Sequence, residues 1–449
     1  MKSASGLCRN DERKRAARYN PRTLPPEQRV VHPTSATSRP ALDSAFWCAL
    51  IVLLVLALLP VARSADAAIG AGAIGALVLV WRDRALLRAQ RGLSLAVLLF
   101  ACYWLAALCS APAAYAPQKA WETVGVLLRF LPFAAFVCLG LRGAAVWPRL
   151  LDAVAMLVTL WLLDAWVQIF TGYSLAGAMS SERLSGIFGA GNLKLGPVLA
   201  VLSPFVFASA NARFGRRGLL VAFVFQLVPI LFAGSRAGWL MFALMSAVFV
   251  WRETRTPLRF LVWSGAAAAV VALASLIALH DSSAFSARVA RSLLVFGGSE
   301  HALDEAAAGR VRIWSTAARM IADHPVRGVG VRGFRYAYPA YAQPGDTFVD
   351  ATNDEGALHA HQLILEVLSE TGAIGLALWL AGAWLAIRAW WRADAAARAR
   401  AFAPGLALTV MCFPLDTHLA FYSAWWGLLF WWLLALYCAA LGAEDAVHA

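Results

Sequence analysis

The most reactive side chains of the sequence stand at the entrance to an apolar segment, where His361 and Gln362 precede a run that continues past Gly375. Ionisable groups at membrane depth are costly, so a histidine in this position is a candidate functional residue. Imidazole changes its charge near neutral pH, which suits it to accept a proton from a hydroxyl group. We therefore predict that His361 is a catalytic base, with Gln362 as a neighbouring substrate-binding residue.

Arginines form the second group of candidates. Arg236 lies in a short turn between two apolar runs, where a charge has little reason to occur unless it snorkels or binds a ligand. The planar guanidinium can bond two oxygens of an anion at once. We predict that Arg236 and Arg312 belong to an anion site, and Arg288 is a further candidate. Other candidate substrate-binding residues are Arg183, Lys194 and Arg310.

The remaining polar residues of this region are expected to be structural or solvated. His359 and His324 are expected to have no catalytic part, and residues two apart do not share a helix face, so His359 and His361 are not a predicted zinc pair. Four arginines are expected to be solvated: Arg319, Arg327, Arg332 and Arg335. One acidic cluster is too loosely spaced to predict a divalent metal site: Asp350, Asp354 and Glu355. We expect no metal and no other cofactor.

The composition is that of a membrane protein. The 449 residues are 61% hydrophobic and 14% charged, whereas soluble proteins are roughly 45–50% apolar and about 25% charged. Much of the net charge of +13 lies in short loops, so nucleic acid is not an expected partner.

A membrane span needs roughly 17–25 apolar residues. Twelve candidate spans lie near residues 44–62, 66–81, 93–112, 120–141, 146–170, 190–210, 217–233, 237–251, 260–279, 373–391, 402–418 and 424–442.

The distribution of basic residues predicts the orientation. One set of alternate loops contains sixteen arginines, and the opposite short loops contain four basic residues. Because cytoplasmic loops are enriched in Lys and Arg, the first set is predicted to be cytoplasmic. The predicted organisation is a disordered cytoplasmic tail (1–43), nine transmembrane helices (44–279), a periplasmic loop (280–372), and three transmembrane helices with a short cytoplasmic tail (373–449).

The large outer loop is predicted to be helical in part. Residues 308–322 show apolar residues at helical spacing, namely Val311, Trp314, Ala318 and Ile321. Asp323-His324-Pro325 is predicted to end this helix. A turn-rich stretch should follow at Gly328, Gly330 and Gly333.

Several of these stretches resemble the motifs of a known family, the O-antigen ligase superfamily of Wzy_C-type membrane glycosyltransferases. His361-Gln362 followed after nine residues by Gly372-Ala373-Ile374-Gly375 is similar to its histidine signature, although Asn or Ser is usual where this chain has Gln362. Arg236 and Leu240 match its Arg-x-x-x-Leu motif. Further similar stretches are Arg312 with Trp314, His324–Phe334, and Gly186–Asn192.

The resemblance implies an all-α polytopic fold similar to the GT-C class, with about twelve transmembrane helices and one large helical periplasmic loop. It implies transfer of a glycan from undecaprenyl diphosphate to lipid A–core in lipopolysaccharide biosynthesis, at the bacterial inner membrane with the active site facing the periplasm. The expected partners are the lipid-linked donor, the lipid A–core acceptor and membrane lipids. His361 would be the base, and Arg236, Arg312 and Arg288 would bind the donor diphosphate, in an inverting, metal-independent reaction.

Three alternatives remain open. An O-antigen polymerase of the Wzy type would transfer glycan to glycan, and a protein O-oligosaccharyltransferase would transfer it to Ser or Thr. A lipid-linked glycan transporter would also be polytopic and cationic. Transporters place their polar groups in discontinuous helices at the midplane, whereas the polar groups here lie at the predicted outer ends of spans, which favours an enzyme.

Overall fold

The computed structural model describes residues 39–87, 90–179, 183–281, 283–297, 299, 304–350, 352–414 and 420–444. Residues 43–449 form one compact unit, and residues 1–42 are a separate unit of which only the backbone of 39–42 is described. Most of the predicted tail, residues 1–43, therefore lies outside the described residues.

Helices make up nearly all of the described structure. They are α1 (Arg39–Leu58), α2 (Ser64–Arg82), α3 (Arg91–Ser110), α4 (Pro117–Leu127), α5 (Phe130–Gly140), α6 (Trp147–Thr171), α7 (Leu195–Phe232), α8 (Arg236–Thr254), α9 (Pro257–Asp281), α10 (Ser283–Leu293), α11 (Arg310–Asp323), α12 (Phe334–Tyr341), α13 (Leu363–Arg392), α14 (Ala395–Met411) and α15 (Ala424–Gly442). A small antiparallel hairpin joins β1 (Tyr173–Ser174) to β2 (Gly177–Ala178).

Eight helical segments among the described residues are long and apolar enough to cross a membrane. The chain is therefore an all-α, multi-pass membrane protein, as the sequence predicts. Each of the twelve predicted spans coincides with a helix, a helix pair or half a helix. The lower number has two causes: α7, kinked at Gly215 (φ 57°), combines two predicted spans, and α1, α8 and α14 are not among the eight segments. The apolar part of α1 is short, Ser44–Leu58, and the total of twelve crossings stays a prediction.

The centre of the bundle is α15, which packs against α3, α5 and α14. Its sequence is apolar on all sides, which is typical of a helix that is buried among other helices or in a membrane. Trp431 and Trp432 are fully buried, and the indole of Trp432 donates a hydrogen bond to the carbonyl of Val52 at 2.9 Å. Helix α13 packs along α3 and brings the outer loop to this core.

The outer loop contains a small helical core of its own. The predicted helix is confirmed as α11, but its buried residues are not the four apolar residues whose spacing predicted it. Ile313, Ala317 and Met320 are buried, whereas Val311 is 40% exposed. The helix has apolar residues on more than one side, so their spacing alone could not identify the face that meets Phe334 and the other residues of this core.

The glycine-rich turn after α11 docks on a kink in α13. Val329 N–H donates to Ser369 O at 2.7 Å, and Ala373 N–H donates to Pro325 O at 2.8 Å. Gly372 has a φ of 65°, and a Cβ atom there would lie 2.3 Å from the carbonyl carbon of Val326. Only glycine combines that backbone conformation with so close an approach. The turn and the histidine-bearing helix are thereby joined into one unit.

Candidate functional site

The loop immediately before α13 presents His361 in an unusual backbone conformation. Its φ is 51°, in the left-handed region that non-glycine residues seldom occupy. Such a conformation costs on the order of 1–3 kcal/mol and persists only where the surroundings enforce it. The indole of Trp314 donates to Ala360 O at 3.1 Å and ties the loop to α11. The predicted base thus lies in a loop held by its neighbours.

Gln362 is the N-cap of α13. Its Oε1 accepts a hydrogen bond from Leu365 N–H at 2.6 Å, and its Nε2 donates to Pro414 O at 2.8 Å. Side-chain capping of a free backbone N–H stabilises a helix start. Both ends of this amide therefore make hydrogen bonds within the protein, and a role of Gln362 in substrate binding stays a prediction.

His359, expected to be structural, lies against His361. The two ring centroids are 3.9 Å apart, and the backbone N–H of His361 donates to His359 Nδ1 at 3.2 Å. The same Nδ1 of His359 lies 3.7 Å from Oε2 of Glu366, which is fully buried. Sequence reasoning missed Glu366. The signal was a carboxylate inside an apolar helix, a costly placement that usually has a function.

A cleft of about 510 Å³ opens beside these histidines. It is lined by His359, His361, Trp426 and the segment from Ala190 to Lys194. Lys194 Nζ lies 4.4 Å from the ring centroid of Trp425, a cation–π distance. Burial lowers the pKa of Lys194 below its ordinary value. The structure therefore brings one predicted substrate-binding residue, Lys194, to the predicted base.

Two buried polar residues of α6 bind the chain that leads to this cleft. Gln168 Oε1 accepts from the N–H groups of Ser185 (3.1 Å) and Gly186 (2.7 Å). Asp164 Oδ1 accepts from Leu175 N–H at 2.7 Å. Sequence reasoning missed both residues, although polar groups inside an apolar helix were again the available signal. They fix the segment that leads to Lys194.

Arg236 starts α8, which is capped by the hydroxyl of Ser235. Its guanidinium is half-buried and donates a hydrogen bond to the carbonyl of Ala306. Burial lowers the pKa of Arg236, and the positive charges of Arg291 and Arg183 lower it further. Arg291 and Arg183 thus lie close enough to Arg236 to repel its charge, and an anion bound beside Arg236 would relieve that repulsion.

The other predicted anion ligands are placed differently. Arg312 forms an ion pair with Asp304, with its Nε 3.0 Å from Oδ2. Arg310 is the first residue of α11. Arg288 belongs to α10, and its side chain lies outside the described residues. Asp304 is two residues from Ala306, the partner of Arg236. Arg312 and Arg236 therefore contact the same short segment.

The prediction that four loop arginines are solvated is wrong for two of them. Arg319 donates to Tyr341 O at 2.8 Å and to Thr316 Oγ1 at 2.9 Å. Arg335 forms an ion pair with Glu355 at 3.3 Å. The reason is that the loop folds around its own core, so long cationic side chains are used to join its helices. Arg327 is exposed, as predicted, and the backbone N–H of Arg332 donates to buried Glu370 at 2.8 Å.

The described residues include no group of three or more His, Cys, Asp or Glu side chains placed to hold a metal ion. In the acidic cluster, Asp350 accepts hydrogen bonds from the N–H and hydroxyl groups of Thr352 and from Asn353, which lowers its pKa. These contacts belong to a local turn. Metal independence stays a prediction that only an assay can test.

A comparison with known families agrees with the motifs. Residues 221–380 match the family model described as O-antigen ligase, Wzy_C. A search of curated proteins gives no match to the chain. The family match includes Arg236, the outer loop and the histidine segment. Residues 221–380 of this multi-pass membrane protein are thus similar to the O-antigen ligase family, as the motifs predict.

Proposed function

We propose that this protein is an O-antigen ligase that transfers a glycan from undecaprenyl diphosphate to lipid A–core on the periplasmic side of the bacterial inner membrane. The family supports a glycosyltransferase-like enzyme of the ligase or polymerase type, with a lipid-linked glycan donor. The observation that carries the proposal is the cleft that joins His361 to Lys194 and Trp426.

His361 is the general base in this proposal. The acceptor hydroxyl oxygen bonds to the anomeric carbon of the donor glycan while the bond from that carbon to the diphosphate oxygen breaks. The hydroxyl proton passes to the imidazole of His361, and undecaprenyl diphosphate leaves with the bonding electrons. A single displacement of this kind inverts the anomeric centre. Strain in the His361 backbone supports the role, since strained residues cluster at active sites.

The arginines stabilise the leaving diphosphate. Arg236 is the first candidate because Arg183 and Arg291 add positive charge around it. Arg312 and Arg288 are proposed as further donors to the diphosphate oxygens. Fixed cationic donors aimed at developing negative charge can supply the stabilisation that a metal ion would otherwise give. We therefore propose that the reaction is independent of metal ions.

The acceptor sugar enters the cleft in this proposal. Lys194 would bind a polar or acidic group of that sugar. Trp426 supplies an apolar wall. An open cleft with a histidine, a lysine and a tryptophan favours chemistry on a carbohydrate hydroxyl over simple passage of a lipid-linked glycan. The experiment therefore compares a lipid-linked, a glycan and a protein acceptor.

The test is transfer by the purified full chain in proteoliposomes with undecaprenyl diphosphate-linked glycan. Lipid A–core, a second molecule of the donor and a Ser/Thr-containing protein are offered as acceptors in separate reactions, each in excess EDTA. We expect product with lipid A–core and a fall of about 10²–10⁴-fold with His361→Ala, but not with Arg327→Ala, which changes an exposed arginine.

Other outcomes have definite meanings. Glycan-to-glycan product identifies a polymerase, and glycosylated protein identifies a protein O-oligosaccharyltransferase. Dependence on added Mg²⁺ or Mn²⁺ would overturn metal independence and return attention to Asp350, Asp354 and Glu355. Full activity of well-folded His361→Ala would remove His361 from the mechanism.

A further inference from the structure

His359 and His361 are joined by a directional hydrogen bond as well as by contact between their tilted rings. The backbone N–H of His361 donates to Nδ1 of His359 at 3.2 Å. A neutral imidazole nitrogen that accepts a hydrogen bond cannot carry a proton itself. The observed contact therefore requires His359 to be unprotonated at Nδ1. In that state His359 helps to hold the left-handed conformation of His361.

Glu366 faces the same nitrogen from α13. Its side chain is fully buried, and Oε2 lies 3.7 Å from His359 Nδ1. This oxygen makes no hydrogen bond to the part of the chain that the structure describes. The other oxygen, Oε1, accepts from Tyr422 N–H at 3.5 Å. A buried acceptor is thus available to Nδ1 of His359 if that nitrogen becomes a donor.

These two contacts exclude each other. Once protonated, Nδ1 of His359 is a donor and can no longer accept the N–H of His361, but it can donate to Glu366. The backbone N–H of His361 is then released, and the constraint on its conformation is lost. Other charged or titratable groups face this arrangement: His361 itself, Lys194 across the cleft, and Glu370, Arg332, Tyr103 and Tyr422 around Glu366.

We propose that His359, while unprotonated, is a positioning residue for His361. When the site is acidified, the protonated Nδ1 of His359 donates a hydrogen bond to Glu366 instead, and His361 is no longer held in place. The inference rests on the proposed role of His361 as the base. It adds a second inactivating protonation, separate from protonation of His361.

The first test compares two replacements of His359. The Oδ1 atom of asparagine can take the position of Nδ1 and still accept the N–H of His361, but asparagine cannot be protonated there. We expect His359→Asn to retain most of the wild-type kcat near pH 8, and His359→Ala to lower kcat by about 10²-fold with little change in KM, because misplacing a catalytic group costs about that much. Equal loss in both variants would overturn the positioning role.

The second test is the shape of the pH profile. For wild type, log kcat should fall on the acid side with a limiting slope of two, because protonation of either histidine inactivates the site. His359→Asn should reduce that slope to one. His324→Asn is the matched control, since His324 contacts Tyr341 in the outer loop at 3.0 Å, outside the cleft, and it should keep the wild-type slope. A slope of one in wild type would overturn the proposal.

The third test removes the acceptor. Glu366→Gln keeps the size of the side chain but removes the carboxylate that stabilises protonated Nδ1. We expect its acid limb to move to lower pH, whereas Glu122→Gln, which changes an exposed carboxylate of α4, should leave the limb in place. An unmoved limb in Glu366→Gln overturns the role of Glu366. Failure of this inference can be distinguished from failure of the proposed function. If only the inference is wrong, His361→Ala is still inactive but the pH profiles do not change as expected.

Discussion

Arg236 differs in its surroundings from the other arginines of the predicted outer face. It is half-buried at the start of a helix, donates to a backbone carbonyl of the outer loop, and shares its space with two further arginines. Clustered like charges are unfavourable unless an anion accompanies them. Arg319, by contrast, is fully occupied in joining two elements of the loop. Replacement of Arg236 is therefore the best test of whether an arginine binds the diphosphate of the donor.

We expect Arg236→Lys to lower transfer by about 10²–10³-fold, the usual cost of losing one well-placed donor in the transition state. Lysine keeps the charge but loses the two-pronged geometry of the guanidinium. Arg236→Ala should be worse. Initial rates at saturating acceptor and varied donor would check this in proteoliposomes.

Arg327→Ala is the control for this comparison, because Arg327 is exposed, whereas Arg319→Ala would disturb the loop itself. If Arg236→Lys transferred glycan as fast as wild type, Arg236 would act as a point charge at most.

At the scale of elements, the decisive feature is the joint between the glycine-rich turn and α13. Gly328 and Gly372 both have a φ of 65°, and each backbone meets the other element without room for a side chain. The turn follows α11, and α11 holds the histidine loop through Trp314. The joint therefore couples the fold of the outer loop to the position of His361.

Gly372→Ala should loosen this joint. The new Cβ would lie 2.3 Å from the backbone of Val326, and the backbone conformation alone, φ 65° and ψ −165°, costs alanine on the order of 1–3 kcal/mol. We expect a lower melting temperature in detergent and faster proteolysis of the outer loop, with transfer reduced in proportion.

Gly265→Ala in α9 is the matched control, because a Cβ there meets nothing within 4 Å and alanine favours the helix. A Gly372→Ala protein as stable as wild type would show that the joint tolerates a side chain and does not couple the two elements.

The whole molecule is a strongly basic membrane protein with a net charge of +13 and a predicted excess of arginine on one side. Most of the residues of the candidate site lie on the opposite side in that prediction, in the outer loop and at adjoining helix ends. A lipid-linked glycan would meet them there. The proposed function therefore depends on the orientation of the complete chain in the membrane.

Single cysteines can test the orientation. Ala340→Cys changes an exposed residue of α12, and Ala396→Cys changes an exposed residue at the start of α14. A membrane-impermeant maleimide added to intact spheroplasts should label the first well above the wild-type background and the second only after lysis. The reverse pattern would place the histidine loop in the cytoplasm and contradict the proposed function.

The sequence by itself determined the all-α membrane fold, the positions of the helical segments, and His361 and Arg236 as the candidates of most interest. These properties depend on hydropathy, on helical period and on motifs read along a few tens of residues, so they are local. The helix α11 was predictable for the same reason. Its buried face was not, because the face depends on Phe334 and on other residues that only folding brings to it.

The tertiary structure alone decided which polar residues meet. His359 and Glu366 are seven residues apart, and nothing in their spacing indicates that a carboxylate from α13 reaches the nitrogen that accepts the N–H of His361. Lys194 lies far from His361 in the chain, yet both line one cleft. Hydrogen bonds and electrostatic contacts act over a few ångströms in space, whatever the distance along the chain, so pairings of this kind exist only once the helices have packed.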